Sequence, residues 1–340
     1  MKKTLVAVAA MAAVTGAMAD VTISGFVDKG LNMTSLNNNG TKTSNRSIGP
    51  NAIGQDQITF AANEDLGSGM KAYVNISIMP TISTPALAAD VGQVGVKGAF
   101  GDLRVGSDYG TTWYTSNMAD ASGWGVGAGQ VNKVGAGGQV SNVIIYSLPS
   151  LMTGLNATVA SRSAGAANGA GNAFAYLLNY TSGGLSAQYA AASVSSPGGF
   201  YVNGGLGGRV DGLNSTYEAA TGNAKANATA LTYDFGMAKL YVGYNTAKNT
   251  GSTRQTSSSY TYGVSAPLGS TPMSVGISMS GASYGNSTNT NTLKESGYSI
   301  LAKYSLSKRT NLYMQTGQGT QTTPSGYSTR TTGLGITHSF

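Results

Sequence analysis

The chain has 340 residues and no cysteine, and its 10% of charged residues lies well below the roughly 25% of soluble domains. The lack of cysteine excludes disulfides, cysteine-ligated metal sites and attachment of lipid to an N-terminal cysteine. The formal net charge is +7, and without Lys2 and Lys3 it is +5 from 18 basic and 13 acidic residues. This mild excess forms no basic stripe and does not indicate binding to nucleic acid.

The first nineteen residues have the three regions of a secretory signal peptide. Lys2 and Lys3 are followed by an apolar run from Thr4 to Val14 and by the small residues Ala17 and Ala19. The run is too short to span a bilayer, so we expect residues 1–19 to be removed and the mature chain to begin at residue 20. No later apolar stretch has the length of a membrane-spanning helix.

The rest of the chain alternates between apolar and polar residues with a period of two. In the segment 272–282, Met273, Val275, Ile277 and Met279 alternate with serine and glycine. This pattern predicts strands with one apolar and one polar face. Sixteen such segments lie near 21–35, 50–63, 69–79, 91–98, 101–107, 141–148, 154–163, 172–181, 184–194, 224–235, 237–248, 258–267, 272–282, 295–306, 309–318 and 328–340.

The connectors between these segments alternate between short turns and long loops. Short periplasmic turns, long outer loops and an even number of strands are typical of transmembrane β-barrels. We therefore predict an all-β fold, a sixteen-stranded antiparallel transmembrane barrel over residues 20–340. A connector at about 108–140 carries Trp113 and Trp124, which have little reason to lie in a solvated loop, and we expect it to fold into the lumen.

Seven segments, in order along the mature chain, resemble the general porins of Gram-negative bacteria, in particular the neisserial and burkholderial branch. They are DVTISGFVD at 20–28, NEDLGSGMKA at 63–72, VGVKGAFGDLRVG at 94–106, SNVIIYSLPSLMTG at 141–154, LTYDFGMAKLYVGY at 231–244, YSILAKYSLSKRTNLY at 298–313 and GLGITHSF at 333–340. The resemblance implies a homotrimer in the outer membrane, with an inward third loop and passive diffusion of small hydrophilic solutes and ions. It implies no cofactor, and its partners would be outer-membrane lipid, lipopolysaccharide and the barrel assembly machinery, which reads the terminal Phe340.

In the family, acidic residues on the third loop face basic residues on the opposite wall. Many members carry basic residues where this chain has Gln57, Ser107 and Ile145, so we expect only a weak preference for anions. The alternation leaves other basic residues on the polar face, and the loop supplies acidic partners. The candidate pore-lining residues are Arg104, Arg162, Lys71, Asp108 and Asp120.

Lys29 falls on the outer face, where a lysine in mid-membrane costs roughly 2–4 kcal/mol. Three explanations stay open: the side chain reaches the interface, it is buried between protomers, or a bulge shifts the register.

Two rival functions are an outer-membrane enzyme and a surface adhesin or anchor. The only histidine is His338, beside the C-terminus, and no carboxylate pair or metal-binding cluster is visible, so we expect no enzyme and no metal. The long polar loop at 195–223 leaves a secondary adhesive role open. A parallel β-solenoid is the soluble alternative, but no repeat of about twenty residues is present.

Overall fold

A computed structural model describes residues 20–49, 53–81, 86–123, 126–132, 134–135, 138–163, 171–195, 223–249, 255–286, 289–323 and 326–340. The predicted signal peptide, Trp124 and most of the loop at 195–223 lie outside these residues. The described part contains seventeen strands and two short helices. The strands are β1 Asp20–Asn38, β2 Thr41–Gly49, β3 Gln57–Gly67, β4 Met70–Thr81, β5 Ala86–Gly98, β6 Gly101–Tyr109, β7 Gln139–Ser147, β8 Leu155–Arg162, β9 Ala173–Ser182, β10 Leu185–Val194, β11 Ala224–Asp234, β12 Lys239–Asn249, β13 Gln255–Pro267, β14 Met273–Asn286, β15 Asn289–Ser305, β16 Thr310–Thr323 and β17 Tyr327–Ser339.

The strands form one closed antiparallel sheet. β1 pairs with β17, and from β3 onward each strand pairs with the next. On its other side β1 pairs with β3 through its first residues and with β2 through its last ones. β2 and β3 therefore share one position, and seventeen strands fill the sixteen positions that were predicted.

The two faces of the strands differ as the alternation requires. On β14, Ile277 and Met279 are 37% and 46% exposed, whereas Ser278 and Ser280 between them are 0% and 4% exposed. Large apolar side chains thus cover the outside of the barrel, where lipid would contact them, and polar or small side chains face the interior. The fold class predicted from the alternation is confirmed.

The loop predicted between the strand segments 21–35 and 50–63 is wrong. The segment 36–49 contains the end of β1 and all of β2, joined by a tight turn at Asn39 and Gly40, both with positive φ. β2 has the sequence TKTSNRSIG, and its residues are exposed on both faces up to Ile48. Because β2 is exposed on both faces, its sequence lacks the apolar alternation on which the prediction depended.

The last strand closes the barrel through paired backbone hydrogen bonds. Gly25 donates to the carbonyl oxygen of Phe340 and Phe340 donates to that of Gly25, both at 3.0 Å. The ring of Phe340 lies over Gly25, where a larger residue would overlap it. Leu334, Ile336 and Phe340 are 43–46% exposed, so the face of β17 that carries these three side chains is its outer face.

Candidate pore and its lining

The segment between β6 and β7 crosses the interior of the barrel. It contains the helices α1 (Thr111–Met118) and α2 (Ala128–Val131). α1 contacts β9 to β12, and α2 contacts β14 to β16. No helix in the described part of the chain is long and apolar enough to cross a bilayer.

Hydrogen bonds hold this segment against side chains of the opposite wall. The backbone nitrogen of Ala121 donates to Ser278 Oγ at 2.9 Å, and that of Ala128 donates to Ser299 Oγ at 2.9 Å. Ser278 and Ser299 are completely buried and belong to the inward face of their strands. The segment is therefore attached to the inner surface of the barrel.

Glycines on the inward face of these strands allow the backbone of the segment to come close. A methyl group added at Gly276 would overlap the carbonyl oxygen of Ala121. At Gly297 it would lie 2.9 Å from the carbonyl carbon of Gly127, well inside van der Waals contact. The segment thus packs against small residues on the inner faces of β14 and β15.

Asp120, a predicted pore-lining residue, takes part in this attachment. Its Oδ1 accepts hydrogen bonds from Ser278 Oγ at 2.7 Å and from the nitrogen and Oγ of Ser122 at 2.9 and 2.8 Å. The structure therefore places Asp120 against β14, away from Arg104 and Asp108.

An open passage remains on the other side of the segment. It has a volume of about 720 Å³ and lies between the inner faces of β3 to β6 and helix α1. Its basic side chains are Lys97 and Arg104, its acidic ones Asp90, Asp102 and Asp108. Neutral polar residues supply most of the remaining lining, among them Gln55, Gln57, Thr59, Asn75, Ser77, Gln93 and Asn117.

Arg104 lies at mid-strand on β6, beside the passage. Its guanidinium nitrogens are 3.5 Å from Asp102 Oδ2 and 3.7 Å from Asp108 Oδ2, and one donates to Ser147 Oγ at 3.3 Å. Its side chain is 19% exposed. The structure thus brings together Arg104 and Asp108, two of the five candidate pore-lining residues.

Asp108 also fixes the start of the segment. Its Oδ1 accepts hydrogen bonds from the backbone nitrogen of Tyr109 at 2.7 Å and from the hydroxyl of Tyr114 at 2.5 Å. Burial raises the pKa of Tyr114 well above its usual range, and the charge of Asp108 raises it further. Tyr114 consequently remains a hydrogen-bond donor at all physiological pH values.

A second buried carboxylate was not singled out from the sequence. Asp90 is 5% exposed, and it accepts hydrogen bonds from Gln57 at 2.6 Å, Tyr109 at 2.7 Å and Gln139 at 2.8 Å. All three donors are neutral side chains, so none of these hydrogen bonds to Asp90 involves a basic residue. No pattern in the sequence identifies Asp90 as buried, because its three partners lie on β3, β6 and β7.

Lys71, a candidate pore-lining residue, lies near the short turn between β3 and β4. In the strand register it is opposite Asp65 on β3 and Lys97 on β5, and Lys97 is opposite Asp102 on β6. Lys71 and Lys97 are exposed, and Lys97 Nζ lies 5.4 Å from the centre of the Tyr73 ring. Across these four strands the row therefore has two neighbouring lysines with an aspartate on each side, near the turn end of the passage.

Arg162 lies at the far end of β8, beside a smaller cavity behind α1. It therefore does not join Arg104 and Asp108 in the open passage. The cavity is about 130 Å³ in volume, and Arg104, Asp108, Tyr109 and Tyr114 line both it and the passage.

The surroundings of Lys29 explain a lysine on the outer face. Residues 27–29 of β1 lie between the parts that pair with β3 and with β2, and Lys29 Nζ forms an ion pair with Asp56 through this interruption. Asp28, facing inward, accepts hydrogen bonds from the nitrogens of Ile53 and Gly54 at 3.0 Å and from the Tyr313 hydroxyl at 2.6 Å. The register of β1 with β17 runs from residue 26 to residue 38 without a shift, so the predicted alternative of a bulge is wrong. It is the neighbouring position in the sheet that is divided, between β2 and β3.

No cluster of three or more histidine and acidic residues that could bind a metal occurs in the described part of the chain. His338 Nδ1 shares a hydrogen bond of 2.9 Å with Thr310 Oγ1 on the exposed outer face. The histidine therefore lies outside the barrel interior.

Comparison with known proteins agrees with this geometry. The family model for Gram-negative porins matches residues 7–324. The major outer membrane protein P.IB of Neisseria meningitidis serogroup B is 34% identical over 110 residues, which are 31% of this chain and 33% of that protein. The sequence match thus spans about a third of the relative's length.

Solved structures share the fold over nearly the whole length. The anion-selective porin from Comamonas acidovorans is 22% identical with a TM-score of 0.73, over 95% of this chain and all of that one. OmpT of Vibrio cholerae in its trimer form is 11% identical with a TM-score of 0.70, over 95% and 99% of the two chains. The family model covers most of the sequence, so the chain belongs to the Gram-negative porins, a family of outer-membrane channels and not of enzymes.

Proposed function

We propose that this chain forms a water-filled channel through which small hydrophilic solutes and ions diffuse passively across the outer membrane. The observation that carries the proposal is the passage of about 720 Å³, lined by polar and charged side chains inside a closed barrel with an apolar outer face. The segment of about 108–140 would be its constriction, with the ion pair of Arg104 and Asp108 on β6 at its edge. Water and ions meet no apolar barrier along such a lining.

We propose further that the channel prefers anions weakly. The passage has two basic and three acidic residues, so strong selectivity of either sign is not expected. Two of the carboxylates, Asp90 and Asp108, are only 5% and 6% exposed and are held by protein donors. Lys97 is exposed, the side chain of Arg104 is 19% exposed, and Lys71 would add a positive charge at the mouth of the passage.

A homotrimer is the proposed assembly, supported by the trimer form of OmpT from Vibrio cholerae. Outer-membrane lipid and lipopolysaccharide would contact the apolar outer face of each barrel. The exposed ring of Phe340 would serve as the signal that the barrel assembly machinery reads. Residues 1–19 would be the signal peptide that directs export.

Planar-bilayer recordings of the refolded protein test the channel and its assembly together. We expect stepwise openings in groups of three, since each protomer of a trimer carries its own passage. Electrically silent insertion would contradict a channel, and single independent steps would contradict the trimer. An enzyme or a pure adhesin on the same barrel would give no such steps.

The variant Arg104→Ala tests the proposed constriction. We expect the anion-to-cation permeability ratio to fall about three- to fivefold, because a unit charge about 4 Å from an ion in water contributes about 1 kcal/mol. The measurement is the reversal potential in a salt gradient. Arg330→Ala is the matched control, because this exposed arginine on β17 has the parity of the outer face. Equal reversal potentials for the two variants would remove Arg104 from the constriction.

A further inference from the structure

The smaller cavity behind α1 has an unusually apolar wall for the inside of a barrel. The interior of a transmembrane β-barrel is normally polar, yet the inward residues of β7 to β10 beside this cavity are nearly all aliphatic. They are Val143, Ile145, Ala160, Ala173, Ala175, Leu177, Ala192 and Val194. We call this space the alcove.

Three polar groups in the alcove wall have no hydrogen-bond partner among the described residues. They are the hydroxyls of Thr111 and Thr112 at the start of α1 and the Nε of Arg162, and each of these atoms is buried from solvent. Buried polar atoms nearly always have a partner in folded proteins, so unpaired ones indicate a bound water or ligand. Three of them around one cavity indicate that a polar group belongs there.

The shape and chemistry of the alcove define what would fit. Its volume of about 130 Å³ is close to that of an apolar protein cavity of roughly 150 Å³ that binds benzene. Arg162 can bind a carboxylate through two parallel hydrogen bonds, whereas the guanidinium of Arg104 already contacts Asp102 and Asp108. The fit is to a small anion with an apolar body and a single carboxylate.

We propose that the alcove is a binding site for small amphiphilic carboxylates of about the size of benzoate. The apolar body would lie on the aliphatic wall, and the carboxylate would bind Arg162 and the threonine hydroxyls. The alcove adjoins the open passage through their shared lining at Arg104 and Tyr114. The inference rests on the proposed channel for its physiological sense, since the solute would reach the alcove from the passage.

Benzoate is the probe for this proposal, and acetate is the matched anion without an apolar body. In single-channel recordings we expect benzoate, but not acetate, to cause brief interruptions of the current. Arg162→Gln should weaken benzoate binding about tenfold, the loss expected for one charge-assisted hydrogen bond. Ala175→Leu should abolish the interruptions by filling the alcove, and Arg330→Gln should leave them unchanged.

Equilibrium binding of radiolabelled benzoate to the detergent-solubilised protein separates this proposal from the channel itself. Binding that Arg162→Gln weakens, in a protein that conducts no current, would support the alcove and contradict the channel. Normal conductance without binding or interruptions would overturn the alcove. Binding that Arg162→Gln and Ala175→Leu leave intact would overturn it as well. The electrophoretic mobility of the folded form shows that each variant has folded.

Discussion

Replacing Gly276 by valine should lower the single-channel conductance to about half its value, since conductance follows the open cross-section of a pore and the displaced segment would narrow the passage. Even a methyl group at this position would overlap the carbonyl oxygen of Ala121, and valine adds two more carbons. The strand cannot yield, because β14 is paired on both sides with β13 and β15. The interior segment must therefore move away from β14 and toward the passage on its other side. The measurement is the mean step size in planar bilayers.

Gly92→Val is the matched control for this experiment. Gly92 lies on β5, and the nearest atom that a methyl group there would meet is Ser107 Oγ at 3.7 Å, an ordinary contact. Ser278→Ala is a milder second variant, which removes the hydrogen bonds from Ala121 and to Asp120 while adding no bulk. If both variants fold and keep the original step size, the interior segment does not limit conductance.

Much of the fold could be predicted from the sequence because the barrel wall follows one local rule. Alternation along a strand depends on neighbours two residues apart, and lipid outside and water inside impose it on every strand that crosses the membrane. The hairpin of β1 and β2 was missed because the sequence of β2, TKTSNRSIG, lacks the apolar alternation. The interruption between Gly49 and Gln57 was missed because it depends on the carboxylate of Asp28 accepting backbone nitrogens from the inserted residues.

The candidate site could be predicted only where its residues share one strand. Arg104 and Asp108 are four residues apart on β6, and their meeting follows from local geometry. Asp120 was assigned to the pore, yet its partner Ser278 is 158 residues away. The path of the interior segment is decided by such distant serines and glycines, and no pattern within 108–140 records them.

The sequence of the later strands nevertheless contains a signal for the path of the interior segment. Glycine recurs on the polar face of the later strands, where a water-filled lumen gives no reason to avoid side chains. These glycines are Gly243, Gly263, Gly276, Gly297 and Gly317, and an added methyl group at each would approach Ala119, Ala121, Val126 or Gly127. Inward glycines on neighbouring strands therefore mark the wall against which an interior segment packs.

Removing the carboxylate of Asp28 should destabilise the barrel more than any change on its outer surface. Asp28→Ala leaves the nitrogens of Ile53 and Gly54 and the hydroxyl of Tyr313 without their acceptor in a completely buried site. Each buried donor that loses its partner costs about 1–3 kcal/mol, so we expect a loss on the order of 4 kcal/mol in the free energy of unfolding. The measurement is the urea unfolding midpoint of the detergent-solubilised protein.

Two further variants are compared with Asp28→Ala: Asp28→Asn as the conservative change and Asp65→Ala as the surface control. Asparagine keeps an oxygen for the two backbone nitrogens and can offer its amide to the oxygen of Tyr313, so it should lose less than half as much stability as alanine. Asp65 lies at an exposed turn, where its only described side-chain hydrogen bond is from the nitrogen of Gly67 at 2.8 Å, and its replacement should cost about 0.5 kcal/mol. Equal midpoints for Asp28→Ala and Asp65→Ala would show that the divided position of β2 and β3 is held by its neighbours alone. A graded loss, largest for Asp28→Ala, would show that one buried carboxylate replaces the missing strand pairing at this point of the wall.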